Sequence, residues 1–174
     1  VLVWLVSLAG LLWSIGGSTL APGLAWLALG LCSAGTLLMA IAPFTGGGEP
    51  IMANYIPVVD GPMFIAGLAV FGMGGAALVL RGLIATRPTG PVLSAEGALR
   101  FGLNASVVAA AVAVLSFGAS LLLVPRSLDV QTYYEIVYWG GGHALQFVWT
   151  LLMLVGWLWL ASASGARLPL SPRL

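Results

Sequence analysis

Charge in this chain gathers in and beside the gaps between long apolar runs, and that spacing constrains its fold more than any other feature. Six Arg, no Lys and five acidic residues make up 6% of the 174 residues. Apolar stretches of roughly 20 residues match an α-helix crossing the ~30 Å hydrocarbon core of a bilayer. Soluble domains average about 45–50% apolar and about 25% charged residues, against 60% and 6% here. Disorder needs low hydrophobicity and high charge, the opposite composition. A net charge of +1 without a basic tract argues against nucleic acid as a partner. Cys32 is the single cysteine, which excludes a disulfide framework and a cysteine-only metal site. The expected class is all-α, a polytopic transmembrane helix bundle forming one domain over residues 1–174.

About five spans are predicted, near residues 1–16, 22–43, 62–84, 99–124 and 133–161. Gly16-Gly17, Pro22 and Pro43 punctuate the first two, Gly61-Pro62 opens the third and Pro125 closes the fourth, as proline does at helix starts and beyond helix ends. The first residue, Val1, stands inside an apolar run without a positive segment before it. It is read as helix rather than signal peptide, and the chain as part of a larger subunit. The last span is long, and Tyr133 to Trp139 is expected to form an interfacial or tilted turn. The connection from Phe44 to Gly61 is too apolar for a free linker and is expected to fold back over the outer surface.

Arginines set the expected direction. Arg81, Arg87 and Arg100 surround the third connection, and Arg167 and Arg173 follow the last span. The positive-inside rule puts both regions in the cytoplasm. The N-terminus and the second and fourth connections are then outside. Arg81 is expected to snorkel from its helix end, and Asn104 to bond a neighbouring helix. Ala105, Ala109 and Ala113, and the pair Gly72 and Ala76, are small-residue spacings that let helices approach closely in lipid. Trp4, Trp13, Trp26, Trp139, Trp157 and Trp159 fall mostly toward span ends and are expected as interfacial anchors. Cys32 is read as a small packing residue.

His143 is the only histidine, inside the last span and directly after Gly140-Gly141-Gly142. Each glycine weakens a helix by about 1 kcal/mol relative to alanine, so three in a row imply a need for space, either for a large flat group or for a close helix. Trp139, Gly140, Gln146, Phe147 and Thr150 share the helical face of His143 at spacings of three, four and seven. Imidazole ligates copper and iron, yet one imidazole is not a metal site. His143 is therefore either one ligand of a shared centre or a neutral histidine bonded across an interface. Gly46-Gly47-Gly48 lacks the strand, helix and lysine of a phosphate loop. Glu135 is read as a solvated carboxylate.

Three stretches carry a resemblance. They are Val1-Leu2-Val3-Trp4-Leu5 through Ala9-Gly10-Leu11-Leu12-Trp13, Asn54-Tyr55-Ile56-Pro57-Val58-Val59-Asp60, and Tyr138-Trp139-Gly140-Gly141-Gly142-His143. Together they resemble subunit I of the haem-copper oxidases, in a bacterial cbb-like branch, over nearly the whole chain as helices II to VI. The resemblance implies oxygen reduction to water at a haem-copper centre with proton coupling. It makes His143 a copper ligand, with Trp139, Gly140, Gly142 and Phe147 against the copper and haem cofactors and Gln146 and Thr150 ordering water nearby. The other ring nitrogen of His143 is expected to meet an acceptor. It also implies other helices of the subunit, other oxidase subunits and a donor such as cytochrome c as partners, in the bacterial inner membrane. Phe147 stands where A-type oxidases carry a tyrosine, and no glutamate follows His143 as in nitric oxide reductases. That favours oxygen as substrate. The alternatives are a nitric oxide reductase-like subunit, a noncatalytic scaffold, or a small transporter with midplane polar pairs and broken helices.

Overall fold

The computed structural model describes all residues except 1, 16–20, 47, 54–57, 87–94 and 167–174, and leaves aside the side chains of 2–4, 15, 58, 95 and 96. Five helices carry the described chain: α1 (Leu2–Ile15), α2 (Pro22–Ile41), α3 (Pro62–Ala85), α4 (Ala95–Leu123) and α5 (Val130–Ala163). The last four are long and apolar enough to cross a membrane, and the described part of α1 is a shorter apolar helix. Pro22 and Pro62 stand in the first turns of α2 and α3, where a missing N–H costs nothing and φ is already helical. Boundaries fall within a few residues of the expected spans. Arg87, Arg167, Arg173 and the Asn54–Pro57 stretch lie outside the described residues.

Two departures concern the ends of helices. The second connection is not wholly irregular: after a 3-10 turn over Ala42–Thr45, strands β1 (Glu49–Ile51) and β2 (Val58–Asp60) pair antiparallel, Pro50 opposite Val59. Gly48 makes this possible, since its φ of +110° and its approach to the Asp60 backbone leave no room for a Cβ. The start of the last span is continuous helix from Val130 rather than an interfacial turn. Asp129 caps it by accepting a 3.0 Å hydrogen bond from the Thr132 N–H. That bond holds the Asp129 carboxyl below its ordinary range. At 34 residues α5 is about 51 Å long, well beyond the ~30 Å of a hydrocarbon core.

The helices run up and down. Gly35 of α2 faces Gly67 and Phe71 of α3, while Cys32 and Ala28, earlier in α2, face Gly74, later in α3. Val155 of α5 meets Gly102 of α4, and Phe117 of α4 meets Gly141 of α5. Both are antiparallel pairs. Gln131 at the start of α5 donates to the Met52 carbonyl in the second connection, at 3.2 Å. The second and fourth connections therefore share one end of the bundle, as the alternation of spans requires. At the other end, Asn104 of α4 donates to the Thr86 carbonyl just past α3, at 3.0 Å.

The core joins α1, α3, α4 and α5 through Ala9, Leu12, Trp13, Val79, Leu103, Val107, Ala110, Val148, Leu152 and Val155. α2 stands outside it and packs on α3, with Cys32 among the contacts. Cys32 Sγ lies 3.9 Å from the Phe71 carbonyl it faces. The small residues that bring α2 and α3 together are Gly35, Gly67 and Gly74, not the expected Gly72 and Ala76. A Cβ on Gly72 would meet nothing within 4 Å. On α4 the buried stripe is Leu103, Ser106, Val107, Ala110 and Ala113, with Ala105 and Ala109 half-buried at its side.

Trp13 is no interfacial anchor. It is 2% exposed, and its Nε1–H donates to Ser106 Oγ at 2.9 Å, whose own O–H donates to the Leu103 carbonyl at 2.7 Å. An indole carrying a donor is stable in a core only with such an acceptor. Trp26, Trp139, Trp157 and Trp159 are exposed, and the Trp4 side chain lies outside the described residues. Arg81 departs in the other direction. It is buried, with Nη1 3.3 Å from Ser14 Oγ, so it ties α3 to α1 instead of snorkelling.

Candidate functional site on the outward face of α5

The core-facing positions of α5 are Val137, Gly141, Val148, Leu152 and Val155. A helix of 3.6 residues per turn then turns Trp139, His143, Gln146, Phe147 and Thr150 the other way. Trp139 is 61% exposed and Phe147 70%. Gln146 and Thr150 are exposed and His143 is half-buried. The expected aromatic walls therefore do not enclose the imidazole within this chain; they flank it on an open face.

The imidazole itself is held closely. His143 Nδ1 lies 2.8 Å from the Trp139 carbonyl oxygen, and the two rings sit 4.4 Å apart, tilted by 48°. A carbonyl only accepts, so Nδ1 carries the proton in this contact and the lone pair of the neutral ring is on Nε2. Metal-ligating histidines share this contact, their second nitrogen donating to a carbonyl or carboxylate, and so do histidines that hold no metal. Thr150 donates to the Gln146 carbonyl at 2.9 Å, so its hydroxyl proton is used within the helix.

The glycine triplet divides in its roles. Gly141 is buried against the Phe117 ring of α4, which occupies the space of a Cβ. Its absent side chain serves a close helix rather than a ligand. Gly140 has nothing within 4 Å of its Cβ position. Gly142 is half-buried.

Among the described residues, no three of His, Cys, Asp and Glu gather to hold a metal ion. This segment thus offers one imidazole nitrogen, and a metal there needs its remaining ligands from other helices. Sequence reasoning overlooked an aromatic run at the hairpin end. Tyr133 meets Tyr134 edge-on at 5.2 Å, Tyr134 stacks on Tyr138 at 6.2 Å, and Tyr138 meets Phe117 edge-on at 5.9 Å. The spacing of Tyr134 and Tyr138, one helical turn apart, was the signal.

No protein-family model matches the chain, and no solved structure matches it. Two curated proteins are similar. An uncharacterized protein of Rickettsia prowazekii (strain Madrid E) is 27% identical over 139 residues, covering 76% of this chain and 26% of that protein. An uncharacterized protein of Aquifex aeolicus (strain VF5) is 27% identical over 126 residues, covering 72% of this chain and 32% of that protein. The chain thus spans about a quarter to a third of the length of these relatives.

Proposed function

We propose that this chain is part of the catalytic subunit of a membrane oxidoreductase of haem-copper oxidase type, which reduces oxygen to water with proton coupling. In this reading it lies in a bacterial inner membrane with its N-terminus outside and its C-terminus in the cytoplasm. His143 contributes one copper ligand from the outward face of α5. The observation that carries the proposal is the 2.8 Å contact of Nδ1 with the Trp139 carbonyl, which orients the ring and puts the lone pair on Nε2. The openness of that face supports it as well. A polar imidazole, an amide and a hydroxyl are costly against lipid, and covering helices remove that cost. Copper and haem would supply the redox chemistry. Because this segment holds one ligand, no step of that chemistry is assigned to its residues. Trp139 and Phe147 exclude water once covered, and the Trp139 carbonyl fixes the ring.

The test uses the full reading frame, purified from membranes, as wild type and His143→Ala. The expected outcome is copper and haem in the wild type, with loss of copper and of oxygen consumption in the variant and retention of haem bands. If neither protein holds metal, or the variant keeps copper and turnover, the oxidase reading fails and His143 is a packing residue of a noncatalytic bundle.

A further inference from the structure

A cavity of about 870 Å³ lies between α1, α3, α4 and α5, bounded at its base by Trp13, Val79 and Val148. Its volume falls in the range of small-molecule sites, about 300–1,000 Å³. Small residues keep it open: Gly72 and Ala76 on α3, and Ala110, Ala113 and Gly118 on α4. Gly72 and Gly118 both have empty space where a Cβ would stand. The wall on α3 runs from Ile65 to Val79, about 21 Å at 1.5 Å per residue. That exceeds the ~15 Å depth of one leaflet, half the hydrocarbon core. Water finds few partners on such walls, and a void forfeits the packing contacts of its lining.

The hairpin end is chemically different from the rest. Asp60, Arg126, Tyr133 and Tyr134 line it. Both charged residues are exposed. Among the described residues Asp60 and Arg126 form no ion pair with each other. Two opposite charges at the rim of an apolar slot, beside two phenols, complement a headgroup that carries both signs. Tyrosine is the residue that favours headgroup depth.

We propose that this cavity binds one zwitterionic phospholipid, an acyl chain along the α3 and α4 walls, its phosphate at Arg126 and its ammonium at Asp60. The assignment is independent of any metal at His143, which lies on the opposite face of α5. It also accounts for Gly72, whose Cβ position meets nothing within 4 Å.

The test delipidates the intact protein, purified from its membrane in mild detergent, and titrates it with phosphatidylethanolamine, phosphatidylglycerol or diacylglycerol, reading bound lipid by native mass spectrometry. One phosphatidylethanolamine per chain is expected, at least tenfold tighter than either competitor. Gly72→Leu, which enters empty space, is expected to lower that affinity at least tenfold without changing the thermal melt. Asp60→Asn, at the exposed rim, is expected to bring phosphatidylglycerol to parity. Absence of binding, equal retention of diacylglycerol, or a Gly72→Leu protein that binds like wild type overturns the assignment; so does an Asp60→Asn protein with unchanged headgroup preference.

Discussion

Replacing Gly35 by alanine tests a backbone-to-backbone helix contact. A methyl group at that position would stand 2.5 Å from the Phe71 nitrogen, 2.6 Å from the Gly67 carbonyl oxygen and 2.8 Å from Phe71 Cα. Carbon atoms pack best at about 3.5–4.0 Å, so α2 and α3 must part by roughly 1 Å. All three obstacles are backbone atoms and cannot rotate aside. Overpacking of this kind costs about 1–3 kcal/mol, while removing a glycine from a helix returns about 1 kcal/mol. The net expectation for Gly35→Ala is a loss of about 0–2 kcal/mol. Gly30 lies on the same helix with nothing within 4 Å of its Cβ position, so Gly30→Ala keeps only the gain of about 1 kcal/mol. The two variants should therefore differ by about 1–3 kcal/mol, roughly 5- to 150-fold in the unfolding equilibrium. Unfolding in mixed micelles by titrated dodecyl sulfate, followed by helical circular dichroism, measures that difference. Equal stability of the two variants would refute the backbone-to-backbone contact between α2 and α3.

Ser106→Ala leaves the Trp13 indole N–H buried without its acceptor and should cost about 1–3 kcal/mol. Trp13→Phe in the same background should recover part of that loss, and a double-mutant cycle showing no coupling would remove the hydrogen bond from the account. Asp129 has a depressed carboxyl pKa because its charged form accepts the Thr132 N–H. Its contribution to stability is thus present above the ordinary value of 3.8 and lost as pH falls through the lower, folded-state value. Thermal melts of wild type and Asp129→Ala should therefore differ at pH 6 and converge in strong acid, the wild type falling toward the variant.

Helix positions were legible because proline and glycine mark them. Pro22, Gly61-Pro62 and Pro125 stand at or beside observed ends. Helix pairing was not, and the reason is the solvent. In water an apolar stripe reports which face is buried; in lipid both faces are apolar and the pattern is silent. Gly72 and Gly74 look alike as small residues of α3, yet only Gly74 meets α2. Trp13 and Trp26 both lie toward span ends, and one is 2% exposed while the other is 73% exposed. What separates them is Ser106, 93 residues further along, a partner no local pattern names. Arg81 is the same case, with Ser14 on another helix. At the candidate site, the face shared by Trp139, His143 and Phe147 followed from helical spacing alone. Its exposure did not, nor did the occupation of the Gly141 position by Phe117.

The length of α5 has a mechanical side. A rod of about 51 Å meets α4 at two levels, Gly141 against Phe117 and Val155 against Gly102. A tilt of about 5° about the centre moves each end by about 2 Å in opposite directions. The tip near Asp129 carries the Gln131 link to the second connection, and the far tip carries Trp157 and Trp159. The two contacts with α4 resist such a tilt of α5 alone, so a displacement at one end reaches the other only when α4 and α5 tilt as a pair.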